Sequence, residues 1–429
     1  MENQQKTDLQ KAVATKLTMY KYMAVLWATG LGKSFAAIRS ILATGAKRIL
    51  IVVNEIPHKK NWENEFRKFY ELFPMEVDWA VSSKDIKIRI ECYASLKKLT
   101  FTQWDMVIWD EAHHLYTEKR MDYATTIKAN YMLFLSATLS RNMLARYSVL
   151  FNHPITVEEY SLQKGFDNDV LPEPKVFAIQ LELDNTVQDQ VFVESWGKNK
   201  VKKRITCRYQ DRNLYLNNKR KYKDIELHIK CTQRQYYDYL TEKGKQYETL
   251  FKNTNLDFYR NYWMKYATMR KRFIGEWKQT FAISIIVKLL EKRFICFCAS
   301  IAQASELVKI GNYSGIIHSK MTNKHNTDII EKFNNNELMH LFAVNMLKEG
   351  QNLNNIESGI IIQLDGEIRT FIQRFGRVLR AESPEQYILY VKDTQDEKYK
   401  NESLAGIDSK YVKELTFHEF VIQNLKNEQ

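Results

Sequence analysis

No disulfide framework can be built from this chain. Its five cysteines, Cys92, Cys207, Cys231, Cys296 and Cys298, are odd in number and scattered, which points to a reducing, intracellular setting. Cys296 and Cys298 share one face of an expected strand, but no second close pair completes a zinc site, so they read as core thiols. No histidine pair, His113 and His114 included, has H-E-x-x-H spacing, which leaves metal hydrolysis of that kind without support. Glycine and proline are sparse, at 14 and 6 in 429 residues, and no internal repeat or low-complexity tract is evident. No apolar run approaches the roughly 18 residues of a membrane span. Residues 1–6 are too polar for a signal segment. Acid is also short: 51 Asp and Glu stand against 64 Lys and Arg, a net of +13.

What is present is enough for two or three domains, with 45% apolar residues to build their cores. The stretch Ala28-Thr29-Gly30-Leu31-Gly32-Lys33-Ser34 follows a strand-like run at 22–26 and precedes helical spacing that ends at Gly45. Gly30 and Gly32 allow a tight turn that aims amide N–H groups at a phosphate chain, at the N-terminus of the next helix. Lys33 would reach the β- and γ-phosphates, and the Ser34 hydroxyl would ligate Mg²⁺. The match is imperfect, because Trp27 stands where G-x-x-x-x-G-K-[ST] has its first glycine.

Residues 105–109 read as a buried parallel strand that delivers Asp110 and Glu111 at its C-terminal end, where open α/β sheets place ligands. Two adjacent carboxylates there can divide the work. Asp110 holds Mg²⁺ through water, and Glu111 orients and deprotonates an attacking water. After another apolar run, at 132–135, Ser136 and Thr138 are placed to hydrogen-bond toward His113 and couple nucleotide state to lobe position.

By these motifs the sequence resembles the superfamily 2 helicases and translocases of the DEAD/DEAH-like branch. Residues 8–13 look like the adenine-reading segment of that superfamily, making Gln10 the base contact. Residues 49–54 with Pro57 and Trp62, and Tyr93 to Leu96, resemble elements that touch the nucleic-acid backbone. In the second half, strands are expected at 293–300, 316–319 and 360–362. The segment 347–353, which contains Gly350, and the run Gln373-Arg374-Phe375-Gly376-Arg377-Val378-Leu379-Arg380 are similar to the second lobe of type III restriction ATPases and transcription-repair helicases. Carried over, Gly350 joins the nucleotide site, Gln373 faces the catalytic water or γ-phosphate, and Arg377 and Arg380 approach the triphosphate from across a cleft. The family usually has an acid where Asn352 stands.

Charge indicates where a second ligand lies. Between Lys198 and Lys223 there are eleven basic residues and one acid, Asp211. Tyr209, Tyr215 and Tyr222 are interleaved, a pattern suited to phosphate contacts with occasional stacking or wedging. Lys202, Lys203, Arg204 and Arg208 are the candidate nucleic-acid contacts. The aromatics at 236, 237, 239, 259, 262 and 263 read as packing residues first, in a segment, 233–278, that resembles the lobe-two entry of chromatin-remodelling translocases.

The expected fold is α/β, with two tandem RecA-like parallel-sheet lobes: lobe one over 1–150, a basic, mixed extended and helical insertion over 151–280, and lobe two over 281–429. The resemblance implies an ATP hydrolase using ATP and Mg²⁺. Its track is nucleic acid, with duplex or branched DNA favoured and RNA the alternative. A third reading is an ATP-gated clamp that does not translocate. No membrane association is expected. The high lysine and asparagine content, without a nuclease motif, is compatible with a phage or mobile-element protein.

Overall fold

A computed structural model describes residues 4–80, 86–185, 190–195, 202–344, 346 and 353–427. Six short segments make the first sheet: Tyr22–Trp27 (β1), Arg48–Val53 (β2), Lys87–Cys92 (β3), Gln103–Trp109 (β4), Lys128–Ser136 (β5) and Thr156–Tyr160 (β6). They run in the order β3-β2-β4-β5-β1-β6, with every pairing parallel. Strands β2 and β4 are apolar on both faces because helices cover both sides of a parallel sheet. Lys87 and Arg89 stay exposed on β3, the charged edge that discourages pairing with another chain. The helix Lys33–Thr44 leaves the end of β1 through Gly32 at φ 80 and stops at Gly45 at φ 63, both left-handed positions that glycine adopts without steric cost.

The second sheet is also parallel throughout. Its strands are Lys175–Leu181 (β7), Phe294–Phe297 (β11), Ser314–His318 (β12), His340–Val344 (β13), Ser358–Ile361 (β14), Glu385–Val391 (β15) and Val412–Thr416 (β16), in the order β12-β13-β11-β14-β15-β7-β16. Between β7 and β11 the chain builds a small sheet from Gln190–Ser195 (β8), Lys203–Arg208 (β9) and Ile225–Cys231 (β10), with β10 in the centre. Two long helices follow, Gln233–Thr254 and Asp257–Trp277, packed against each other. Thr232 and Gln235 form a reciprocal capping box at the start of the first.

The two tandem parallel-sheet lobes agree with the sequence expectation. The interval 151–280 is partitioned more finely than an insertion. Strand β6 pairs with β1 in the first sheet, and β7 sits between β15 and β16 in the second. Among the described residues, the small sheet and the helical hairpin stand outside both sheets. The partner of β7, strand β15, lies some two hundred residues downstream, beyond the reach of local pattern. Among the described residues no helix is long and apolar enough to cross a membrane.

Candidate active site

The carboxyl ends of β1 and β4 open onto a cleft of about 370 Å³. Lobe one lines it with Lys6, Thr29, Gly30, Gly32, Lys33, Ser34, Phe35, Asp110 and Glu111, and lobe two with Gln373, Arg377 and Arg380. The lobe-two trio is brought to one wall by simple geometry. Residues at i, i+4 and i+7 share a helix face, and Gln373, Arg377 and Arg380 have that spacing along and just beyond the helix Ile368–Val378. Arg374, one position round the helix, turns away from the cleft. Its guanidinium donates to Gln363 O at 3.1 Å and to Asp365 Oδ2 at 2.8 Å.

Lys33 Nζ donates to the Trp27 carbonyl at 3.0 Å. The missing first glycine is thus tolerated, since this contact uses backbone, while the Trp27 side chain is buried in the core. Desolvation pulls the Lys33 amine below the usual lysine range; the negative Glu111 and Asp110 oppose that shift, and the positive Arg380 adds to it. A lobe-two cation thus lies within electrostatic reach of the phosphate loop.

Asp110 is pinned at both oxygens. Trp62 Nε1 donates to Oδ2 at 2.9 Å, and the Glu111 amide donates to Oδ1 at 3.1 Å. Burial raises the Asp110 pKa, against the lowering influence of Trp62, His58 and Lys33. A buried carboxylate and a serine hydroxyl in one cleft are hard oxygen donors, and Mg²⁺ takes few protein ligands beside phosphate and water. The residues present therefore fit Mg²⁺: Ser34 and Asp110 would hold it, and it would neutralise phosphate charge.

Glu111 stands at φ 46, a left-handed conformation uncommon for a residue with a side chain. Its Oε2 lies 3.4 Å from His113 Nδ1, which is 3.3 Å from Ser136 Oγ; Ser136 Oγ in turn accepts the Thr138 amide at 3.1 Å. His113 Nδ1 thus stands between the Glu111 carboxylate and the end of β5.

Gln10 is not gathered into the cleft. It is fully buried, its Nε2 donates to Leu31 O at 3.4 Å, and its Oε1 accepts from Arg39. Arg39 is itself held by Glu76 and by the faces of Phe69 and Phe73. Gln10 therefore buttresses the phosphate loop from behind, and this geometry does not present it as a base contact.

Trp62 and Tyr93, expected at the nucleic-acid backbone, are buried against Asp110, with the Tyr93 hydroxyl donating to Asp110 O at 3.0 Å. The helix Ile56–Leu72 instead turns His58, Asn61, Trp62, Glu65 and Lys68 toward the nucleotide cleft. Their helical spacing was the available signal for a shared wall. Gly350 and Asn352 lie outside the described residues.

Lys203, Arg204 and Arg208 are exposed on the edge strand β9, with Lys202 half-buried just before it. Arg204 Nε lies 3.7 Å from Glu226 Oε1, while Arg208 is paired in register with Lys230. Tyr209, Tyr215 and Tyr222 pack against the small buried cluster around Leu216, Ile225 and Ile229. That packing occupies the rings expected to stack or wedge.

Residues 2–141 match the type III restriction enzyme res subunit model, and residues 277–382 match the helicase conserved C-terminal domain model. The chain is a superfamily 2 helicase-family ATPase. Its fold, two RecA-like lobes, is similar to that of S. cerevisiae Dbp5 bound to RNA and ADP BeF3, at 12% identity and a TM-score of 0.54, over 97% of this chain and 92% of that one. It is also similar to the DEAD-box helicase Mss116 bound to ssRNA and UDP-BeF (13%, 0.52, 97% and 77%). A third likeness is to Mycobacterium smegmatis helicase Lhr bound to ssDNA and AMP-PNP (14%, 0.52, 92% and 47%). No curated protein sequence matches this ATPase.

Proposed function

We propose that this ATPase hydrolyses ATP with Mg²⁺ in the interlobe cleft and uses the cycle to move along duplex or branched DNA. The observation that carries the reading is a single cavity walled by Lys33, Asp110 and Glu111 from one lobe and by Gln373, Arg377 and Arg380 from the other. Phosphoryl transfer is catalysed mainly by positioning and charge stabilisation. Lys33 and the loop amides hold the phosphates, and Ser34 and Asp110 hold the cation. Glu111, backed by His113, takes the proton of the attacking water, which Gln373 orients. Arg377 and Arg380 meet charge developing on the γ-phosphate, a contribution worth on the order of 10³ to 10⁵ in rate. Because the two sets of groups come from different lobes, the γ-phosphate closes the cleft and its loss reopens it.

DNA is favoured because the second-lobe motifs are similar to those of restriction and repair ATPases. The exposed cations of β9 and the preceding Lys202 supply phosphate contacts. The test is ATP turnover across single-stranded, duplex, forked and four-way DNA beside RNA of equal length. Stimulation by duplex or branched DNA and not by RNA is expected; stimulation by RNA alone makes RNA the track. Triplex displacement tests movement. ATP consumption without displacement of any third strand identifies a clamp.

A further inference from the structure

The base of the helical hairpin is tied to lobe two through residues 362–365, the same stretch that receives Arg374. Lys278, wholly buried at the hairpin's end, donates to Ile362 O at 2.7 Å and Leu389 O at 2.9 Å and pairs with Asp396. Gln363 Nε2 reaches Asp396 Oδ1 at 3.3 Å. About two turns back along the hairpin, Lys271 pairs with Asp365 Oδ1, while Asp365 Oδ2 accepts from Arg374 Nη2 at 2.8 Å. Arg374 also lies 4.9 Å from the Phe297 ring centroid. One carboxylate therefore joins a hairpin lysine to the helix that carries Gln373 and Arg377.

The two partners of Asp365 differ in their surroundings. The Lys271 side chain is 38% exposed and that of Arg374 only 9%. Arg374 is locked in the lobe, while Lys271 stands where the hairpin leaves it. Farther out, the hairpin packs on itself: Tyr247 stacks with Tyr262 and Tyr266 at 5.0 and 5.6 Å, and Phe251 with Trp263 at 6.1 Å. The small sheet is seated on the hairpin through Phe192, whose ring lies 4.6 Å from Tyr239, and through Glu194, which accepts from the Tyr239 hydroxyl at 2.7 Å. The basic edge strand is thus connected through the small sheet and the hairpin to Lys271 and Asp365.

We propose that Asp365 is a positioning residue, which shares its carboxylate between Lys271 of the hairpin and Arg374 so that engagement of nucleic acid re-seats the helix bearing Gln373 and Arg377. This inference rests on the proposed nucleic-acid-driven ATPase. Displacing Lys271 unbalances a largely desolvated carboxylate, and its remaining partner, Arg374, adjoins Gln373 and lies three residues from Arg377 on one short helix. The linkage is a set of discrete bonds, the kind of element whose equilibrium two sites can both bias.

The experiment compares the full-length wild type with Lys271→Met, Lys271→Arg and Asp365→Asn. Steady-state ATP turnover is measured without nucleic acid and with saturating forked DNA, and DNA affinity is measured separately by fluorescence anisotropy. Lys271→Met is expected to keep its DNA-free turnover and its KM for ATP within about twofold, yet lose about fivefold or more of the stimulated kcat, the scale of a modulating contact between sites. Lys271→Arg restores the stimulation, and Asp365→Asn lowers it as Lys271→Met does. Stimulation of Lys271→Met equal to that of the wild type overturns the proposal. So does a parallel fall of basal and stimulated turnover, since that marks a structural role. A wild type that ignores every nucleic acid rejects the underlying function instead, and the positioning role with it, so the two failures are told apart. Should Asp365→Asn fail to fold, the Lys271 pair decides the question alone.

Discussion

Asp110 must be ionised to hold a cation, yet its burial raises its pKa above the ordinary aspartate value. Its protonated form is the one the folded cleft favours, so that bias is present at low pH and lost as pH rises through the raised pKa. The kcat/KM for nucleotide is therefore expected to drop as pH is lowered through a midpoint above the usual aspartate value of about 3.9, and Mg²⁺-nucleotide binding near that midpoint should release a proton. A pH profile of kcat/KM for nucleotide, which reports the free enzyme, checks the first, and calorimetry in buffers of differing ionisation enthalpy the second. Glu111, 3.4 Å from His113 through its Oε2, has a different assignment. Glu111→Gln should bind nucleotide as the parent does while losing about 10²- to 10⁴-fold in turnover, the usual weight of a general base. Brisk hydrolysis by that variant, followed by phosphate release, would point to another base.

At the scale of elements, the helix Ile368–Val378 does two jobs on two faces. Gln373 and Arg377 line the cleft, while Arg374 is built into lobe two. Arg374→Ala leaves Asp365 without one of its cations in a partly buried setting and should lower unfolding stability by about 3 kcal/mol, at the lower end for breaking a buried pair. Arg377→Ala should leave the melting temperature nearly unchanged but depress turnover strongly. Thermal melts beside ATPase rates separate the two faces.

The same helix shows what the sequence made legible. Lys33, Asp110, Glu111, Arg377 and Arg380 could be assigned because short motifs require those residue types at fixed spacing after a strand or on a helix face. Gln10 was harder, because its role depends on Arg39, Glu76, Phe69 and Phe73, a cluster assembled only when four helices pack. The place of Trp62 was hidden for a related reason. Its sequence neighbourhood matches a backbone-contact segment, but only the fold brings its indole to Asp110. The strands of both lobes were largely visible as apolar runs, whereas the distant pairing of β7 and the existence of β16 after Lys400 depend on contacts that no local window contains.

At the scale of the whole molecule, the lobes meet closely at Thr29 and Gly376. A Cβ built on Gly376 would lie 2.3 Å from the Thr29 Cβ, so only glycine lets the arginine-bearing helix approach the phosphate loop this far. Gly376→Val should hold the lobes apart and cut turnover severely, with nucleotide affinity less affected, and Thr29→Gly in the same chain should recover part of the loss. A double-mutant cycle on kcat measures that coupling. The basic edge makes a separate prediction. Replacing Lys202, Lys203 and Arg204 together by alanine should flatten the slope of log affinity against log salt by about 0.9 for each duplex phosphate the protein no longer neutralises. An unchanged slope would mean these cations are solvent decoration.

The route of the chain also bears on how such a machine is put together. It crosses from the first sheet to the second before the small sheet begins, with β7 already stitched between β15 and β16. It returns through the helix Gln279–Lys288, whose Ala282, Ile285 and Ile286 are buried in the second lobe's core. The basic unit is thus a passenger with both feet in one carriage. It travels wherever that lobe swings, and a replacement with a different grip could be spliced in at the same two footholds while the engine itself stayed as it is.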